Sequence, residues 1–415
     1  MHENQGVVVG LYSNIIMNNL KEPNGYSKEK VLQILENMKS NEIENNQEVK
    51  PNIIVIMSES FFDPTVLENI KFSKDPIPNI RKLINEYTSG KFISSTFAGG
   101  TSNIEFELFT GKSIAYLPYG TVPYTDLKEN LSKIDTLPKI MKNNGYKTVA
   151  IHTYDKTFYD RHINYPNIGF DEFIGVDEIH EPKYFGKYLS DETFVDNIIK
   201  KIEENESEFP MFVWGLTMQN HTPYAASNYS SELEITVEGA NLTDVAKDKI
   251  TAYTNGIYES DKATQKLINY LEESDTPTVL LFFGDHLPSQ YETYFDTGLI
   301  HTKDTTKWTT EEMIKLHEIP FFIYDNFNYK NEYSHNEIIG AAFLGNYLCN
   351  YIGTEKTEYF KFLDTINYKA IRDRLFVDKN GESHEKVTEE YREEMKNHQI
   401  MQYDGLFGEN YIYEK

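Results

Sequence analysis

The feature that most constrains this chain is a repeated alternation: short, nearly pure apolar runs separated by stretches with helical spacing. The runs are Asn52 to Met57, Thr148 to His152, Met211 to Leu216, Thr278 to Phe283 and Pro320 to Tyr324. A strand reads this way when both of its faces are buried, because neither row of side chains meets water. Helical patterns at Leu131 to Asn143, Asp191 to Glu204 and Asp248 to Glu272 lie between the runs. Together they predict an α/β fold: a central, mostly parallel sheet with helices on both faces.

With 415 residues, 39% of them hydrophobic, the chain can build one large core with a small satellite. Residues 1–50 read as a linker and one helix. The helix begins at the capping Ser27, and a charged linker runs from Asn41 to Lys50. Residues 51–345 hold the apolar runs. The pattern changes over 346–415, which predicts a small α+β subdomain with a helix over Lys386 to Asn397.

No stretch approaches the roughly 20 apolar residues of a membrane span, and the first residues lack the basic and apolar regions of a signal peptide. The abrupt start at Gly6 to Tyr12 leads us to expect a piece of a longer protein. A formal net charge of −25 argues against broad binding to nucleic acid or to anionic headgroups. Cys349 is the only cysteine, which excludes an intrachain disulfide and a multi-cysteine zinc site.

In open parallel sheets, ligands bind beyond the carboxyl ends of the strands, so the residues that follow each run carry the chemistry. Glu59 follows the first run. Gly284-Asp285-His286 follows another, and the adjacent Asp and His offer an oxygen and a nitrogen to one ion. In Gly99-Gly100-Thr101-Ser102, two glycines precede a predicted helix start with Glu105 in its first turn. Free N–H groups there favour a phosphate or a developing alkoxide. The plainer reading is an ordinary N-cap with a capping-box glutamate. His152 ends a run and is followed by Asp155, Tyr159 and Arg161, whose planar fork suits phosphate oxygens. His221 follows the run Met211 to Leu216, where it could hold a phosphoryl oxygen or protonate a leaving oxygen.

In this order, Met57-Ser58-Glu59-Ser60-Phe61, Gly99 to Glu107, Phe158-Tyr159-Asp160-Arg161 with Gly169-Phe170-Asp171, Asn220-His221-Thr222-Pro223-Tyr224 and Gly284-Asp285-His286-Leu287-Pro288 resemble the lipoteichoic acid synthase family. That family is a branch of the sulfatase and alkaline phosphatase superfamily. The resemblance runs from about Pro51 to Tyr413 and includes Gln402 to Gly408.

It implies a sulfatase-like catalytic domain on the outer face of a Gram-positive cell membrane, preceded by membrane helices. Glu59, Asp285 and His286 match the ligands of a single divalent ion, and Thr101 matches the nucleophile, which also contacts that ion. Manganese is the expected metal, with magnesium and zinc as alternatives; three oxygens and one nitrogen suit a fairly hard ion. Arg161 and His221 match residues that hold glycerol phosphate, with Tyr159, His152 and Asp155 beside them.

Two departures stand out. Tyr159-Asp160 replaces the family's Trp-Asn, which brings a charge next to the arginine. Cys349 lacks the Pro and Arg context of a formylglycine sulfatase.

The implied reaction is transfer of phosphoglycerol from a phosphatidylglycerol-like lipid to a glycerol-phosphate chain or a glycolipid through phospho-Thr101, with His221 assisting proton transfer. Two alternatives belong to other classes. One is a phosphoethanolamine-type transferase or a phosphodiesterase, and the other is a non-catalytic relative that binds polymer or lipid.

Overall fold

Strand β5 (Met211–Leu216) shows how the layers are built. On one face Trp214 meets the ring of Phe109, with centroids 4.7 Å apart. On the other, a Cβ on Gly215 would lie 2.4 Å from the ring of Phe194. Alternate side chains of one strand therefore meet helices on opposite faces. The computed structural model describes residues 21–38, 49–205, 209–229, 233–330 and 332–414. The abrupt opening at Gly6 to Tyr12 and most of the charged linker fall outside that range.

The sheet holds β1 (Asn52–Ser58), β2 (Thr88–Ile93), β3 (Lys147–His152), β4 (Glu172–Ile174), β5, β6 (Thr278–Gly284), β7 (Glu318–Asp325) and β8 (Glu337–Gly340). Their spatial order is β8-β2-β7-β6-β1-β5-β3-β4. Only β7 runs against its neighbours; every other pair is parallel. The β1, β5 and β6 strands are buried along their whole length, as their unbroken apolar runs require. The sheet is thus mostly parallel, as expected, and gains three strands that the apolar runs did not mark. In β2 the sequence is Thr-Ser-Gly-Lys-Phe-Ile, and Gly90 faces the backbone of Glu337 so closely that a Cβ there would lie 2.1 Å from its carbonyl oxygen.

The helices that matter below are α1 (Lys28–Asn37), α2 (Thr101–Thr110), α3 (Leu137–Asn143), α4 (Arg161–Ile168), α5 (Asp191–Glu203), α6 (Asp244–Glu273), α7 (Ala341–Ile352) and α8 (Arg392–Leu406). Ser27 caps α1 as predicted, accepting from the amide of Lys30 at 3.2 Å. The helix expected over Leu131 to Asn143 is broken. Thr136 is extended and caps α3, with Pro138 in the first turn, where proline is tolerated because its missing N–H would be unpaired anyway. The terminal helix starts at Arg392 rather than Lys386. Helix α7 packs on α2 and runs through position 346. A small three-stranded sheet follows, made of Ala370–Arg372, Leu375–Val377 and Ser383–His384. Helix α8 closes back on α1, and the Tyr26 hydroxyl donates to Asp404 at 2.8 Å. Among the described residues, no helix is long and apolar enough to cross a membrane.

Candidate active site

Three parallel strands end side by side and deliver the acidic centre. Gly284 closes β6 where a Cβ would come within 2.2 Å of the Phe61 carbonyl oxygen, so only glycine lets the β1 turn pass. Asp285 follows. Its Oδ1 accepts the amides of Ser60 at 2.7 Å and His286 at 2.8 Å. Those bonds turn Oδ2 toward the Thr101 hydroxyl, which donates to it at 2.8 Å. His286 Nδ1 lies 3.0 Å from the Leu287 carbonyl and donates to it. That turns Nε2 inward, 3.2 Å from Asp285 Oδ2 and 3.5 Å from the Thr101 hydroxyl. Glu59 is held by its own amide, which donates to Thr217 Oγ1 at 3.0 Å, and by the Ser60 hydroxyl at 2.8 Å.

One ligand atom each from Glu59, Asp285 and His286 lies within 4.8 Å of the others, and all three residues are buried. Burial, and then the charge of Asp285, pushes the Glu59 carboxyl up to about 8. Two carboxylates and an imidazole lone pair packed this tightly are a donor set for a hard or borderline divalent ion. A cation there would offset the like-charge repulsion that raises Glu59. The residues present therefore fit the expected metal, and their chemistry admits manganese, magnesium or zinc.

Thr101 reaches this centre because the chain before it is bent through the left-handed region. The φ angles of Ala98, Gly99 and Gly100 are 60°, 145° and 88°, which two glycines make affordable. Gly100 is the N-cap and no side chain caps α2, so the capping-box reading fails. Glu105, the residue it required, is turned inward instead and pairs with Arg161.

That pair is completely buried, with 1% of the arginine and none of the glutamate side chain exposed. Arg161 also donates from Nη1 to the Phe158 carbonyl at 3.2 Å, and its Nη1 lies 3.5 Å from His152 Nε2. His152 Nδ1 is 3.0 Å from the Leu216 carbonyl. Burial, then Arg161, holds His152 well below the usual imidazole range, so it is neutral. The Tyr159 ring stacks 5.2 Å from the guanidinium carbon. The extra charge at Asp160 is answered by an ion pair with Lys128. Half-buried His221 sits with Nδ1 2.9 Å from the Thr222 carbonyl and 3.2 Å from the Tyr188 hydroxyl. The structure thus gathers Glu59, Asp285, His286 and Thr101 in one group, and His152, Tyr159 and Arg161 in a second. It does not bring in Asp155, which is exposed and accepts the amide and hydroxyl of Thr157, both at 2.8 Å, in a local turn.

Residues 51–346 match the sulfatase family profile. The chain belongs to the sulfatase family. A Rhizobium meliloti protein, provisionally named for cyclic β-1,2-glucan modification, is 31% identical over 425 residues, covering 100% of this chain and 63% of its own length. The lipoteichoic acid synthase of Staphylococcus aureus is 29% identical over 285 residues, covering 63% of this chain and 40% of that protein. The chain therefore spans under two thirds of either relative, and their sources do not fix a Gram-positive origin. In fold, it resembles the Streptococcus pyogenes phosphoglycerol transferase GacH solved with sn-glycerol-1-phosphate (TM-score 0.76, 23% identity, 95% of this chain and 97% of that one).

Within this sulfatase domain, several positioning residues escaped the sequence. Thr217 and Ser60 fix Glu59, and Tyr188 meets His221. The Asn220 amide reaches Ser260 on α6 at 2.7 Å, close to Gly256, where a Cβ would lie 2.3 Å from its Oδ1. Thr217 and Asn220 carried a usable signal, because both follow a buried strand. Cys349 is buried in α7, and burial pushes its thiol up to about 12, which makes it inert.

Proposed function

We propose that this domain is a metal-dependent phosphoglycerol transferase that takes its group from a phosphatidylglycerol-like lipid and passes it, through phospho-Thr101, to a hydroxyl of a glycopolymer or glycolipid. The observation that carries this reading is the Thr101 hydroxyl, at a helix N-terminus, hydrogen-bonded to Asp285 at 2.8 Å beside Glu59 and His286. Glu59, Asp285, His286 and Thr101 would hold one divalent ion, which supplies positive charge to lower the hydroxyl pKa and offset charge on phosphoryl oxygens. Support also comes from the glycerol phosphate named with the S. pyogenes transferase and from the glycan-related names of the relatives.

In this reaction Thr101 Oγ1 forms a bond to phosphorus while the bond to the diacylglycerol oxygen breaks. The hydroxyl proton leaves along its hydrogen bond to Asp285 Oδ2. Arg161 orients the phosphoryl oxygens, and His221 supplies a proton to the departing diacylglycerol. The acceptor hydroxyl then passes its proton to His221 and bonds to phosphorus as the bond to Thr101 Oγ1 breaks, and Asp285 returns the proton to Thr101. Because the donor is a membrane lipid, the reaction belongs at a bilayer, on its outer face.

Intact-protein mass spectrometry after incubation with phosphatidylglycerol vesicles and Mn2+ tests the proposal. The expected result is a phosphoglycerol adduct on Thr101, absent in Thr101→Ala. An adduct formed only from phosphatidylethanolamine vesicles would reassign the donor to the phosphoethanolamine class. No adduct from either lipid would overturn the covalent mechanism.

A further inference from the structure

The Glu105 carboxylate takes no part in the donor set above, yet it sits on the helix that carries Thr101, four residues on and therefore on the same face. Its oxygens are heavily used. Oε1 accepts from Arg161 Nε at 3.1 Å and from Nη2, and Oε2 lies 3.3 Å from the same Nε. Oε2 also accepts the Tyr165 hydroxyl at 2.8 Å, which in turn accepts the Trp214 indole N–H at 3.1 Å. This side-on grip engages the Nε and Nη2 edge of the guanidinium. The Nη1 edge has longer contacts, with the Phe158 carbonyl at 3.2 Å and His152 at 3.5 Å.

A planar fork held along one edge cannot rotate. Its direction is set by a residue one helical turn from the nucleophile, so a shift of α2 moves the hydroxyl and the arginine together. Resting on the reading of the site given above, we propose that Glu105 is a positioning residue that keeps Arg161 in register with Thr101. The arginine edge then meets the phosphoryl oxygens when the threonine oxygen is in line with phosphorus.

The test measures sn-glycerol-1-phosphate binding by calorimetry, together with kcat and KM on phosphatidylglycerol vesicles. The variants are Glu105→Gln, Arg161→Lys and the double variant. Glu105→Gln keeps the length and loses the charge. It should weaken glycerol-phosphate binding by about tenfold or more and raise KM at unchanged metal stoichiometry. In an Arg161→Lys background the same change should cost less than about twofold, because a residue that acts through another has nothing left to position. Equal losses in the two backgrounds, or wild-type affinity in folded Glu105→Gln, would overturn the inference while leaving the reaction intact. Tyr165→Phe, which removes one hydrogen bond and keeps the ring, covers the case in which Glu105→Gln does not fold. It should weaken binding about threefold, and only when Arg161 is present; wild-type binding would overturn the inference. A wild-type protein that binds no glycerol phosphate and turns over no lipid would overturn both the function and this inference.

Discussion

Among the described residues, two places gather two acids and a histidine, and their electrostatics are opposite. At the strand ends Glu59, Asp285 and His286 are buried together, and burial and Asp285 drive the Glu59 carboxyl up to about 8. On the small hairpin Asp378, Glu382 and His384 also lie within 4.8 Å. There, against a burial contribution that would raise it, hydrogen bonds from His384 and the amides of Glu382 and Asn380 bring Asp378 below its ordinary range. Asp378 Oδ1 takes the Asn380 amide at 2.8 Å and the Glu382 amide at 3.0 Å, while Oδ2 faces His384 at 3.1 Å. The hairpin satisfies its own acid, and the strand ends leave theirs in want of a cation. Proximity of ligand types is therefore a poor guide to a metal site; uncompensated buried charge, aimed by the backbone, is a better one.

The largest effect should come from Thr101→Ala, which removes one hydroxyl from the strand-end group. Turnover should fall at least about a thousandfold, with circular dichroism unchanged; retained turnover would separate the group from the chemistry. Next, Asp285→Asn should weaken divalent-ion binding more than about a hundredfold, read by equilibrium dialysis against Mn2+. Unaltered binding would strip this cluster of its distinction from the hairpin.

Smaller is the pH response. In cation-free protein, folded Glu59 keeps its proton up to about 8, whereas unfolded glutamate loses it near about 4.3. Its stability contribution is full below the unfolded pKa and is lost as pH rises through about 8. Calorimetry in EDTA should show the Tm dropping by about 5 °C or more between pH 5 and pH 8.5, and Glu59→Gln or added Mn2+ should flatten that slope. Equal slopes in all three would mean that Glu59 is already compensated. Smallest of all, His384→Ala should change activity and Mn2+ affinity by less than about twofold and Tm by less than about 3 °C. A larger loss of metal would make the hairpin a second site.

Much of the site was legible because strand ends are. Glu59, His152, His221, Asp285 and His286 all stand at or just after apolar runs, and the fold brings those ends to one edge. Asp155 lies three residues beyond its run, and there it accepts the amide and hydroxyl of Thr157 in a local turn rather than joining either group. Glu105 read as a first-turn carboxylate for a cap, and its partner Arg161 lies 56 residues away, beyond any local pattern. In the fold, β2 and β8 were missed because an edge pair with Gly90 packed against backbone carries little apolar signal.

By itself, the sequence determined the layered sheet and its ligand-bearing edge, since strands buried on both faces must be apolar throughout and strand termini must carry the polar residues. The tertiary structure decided which acid would be starved of compensation, which would be paired and where the arginine would point. Those outcomes depend on burial and on hydrogen bonds between segments far apart in the chain, and neither is written in any local run of residues.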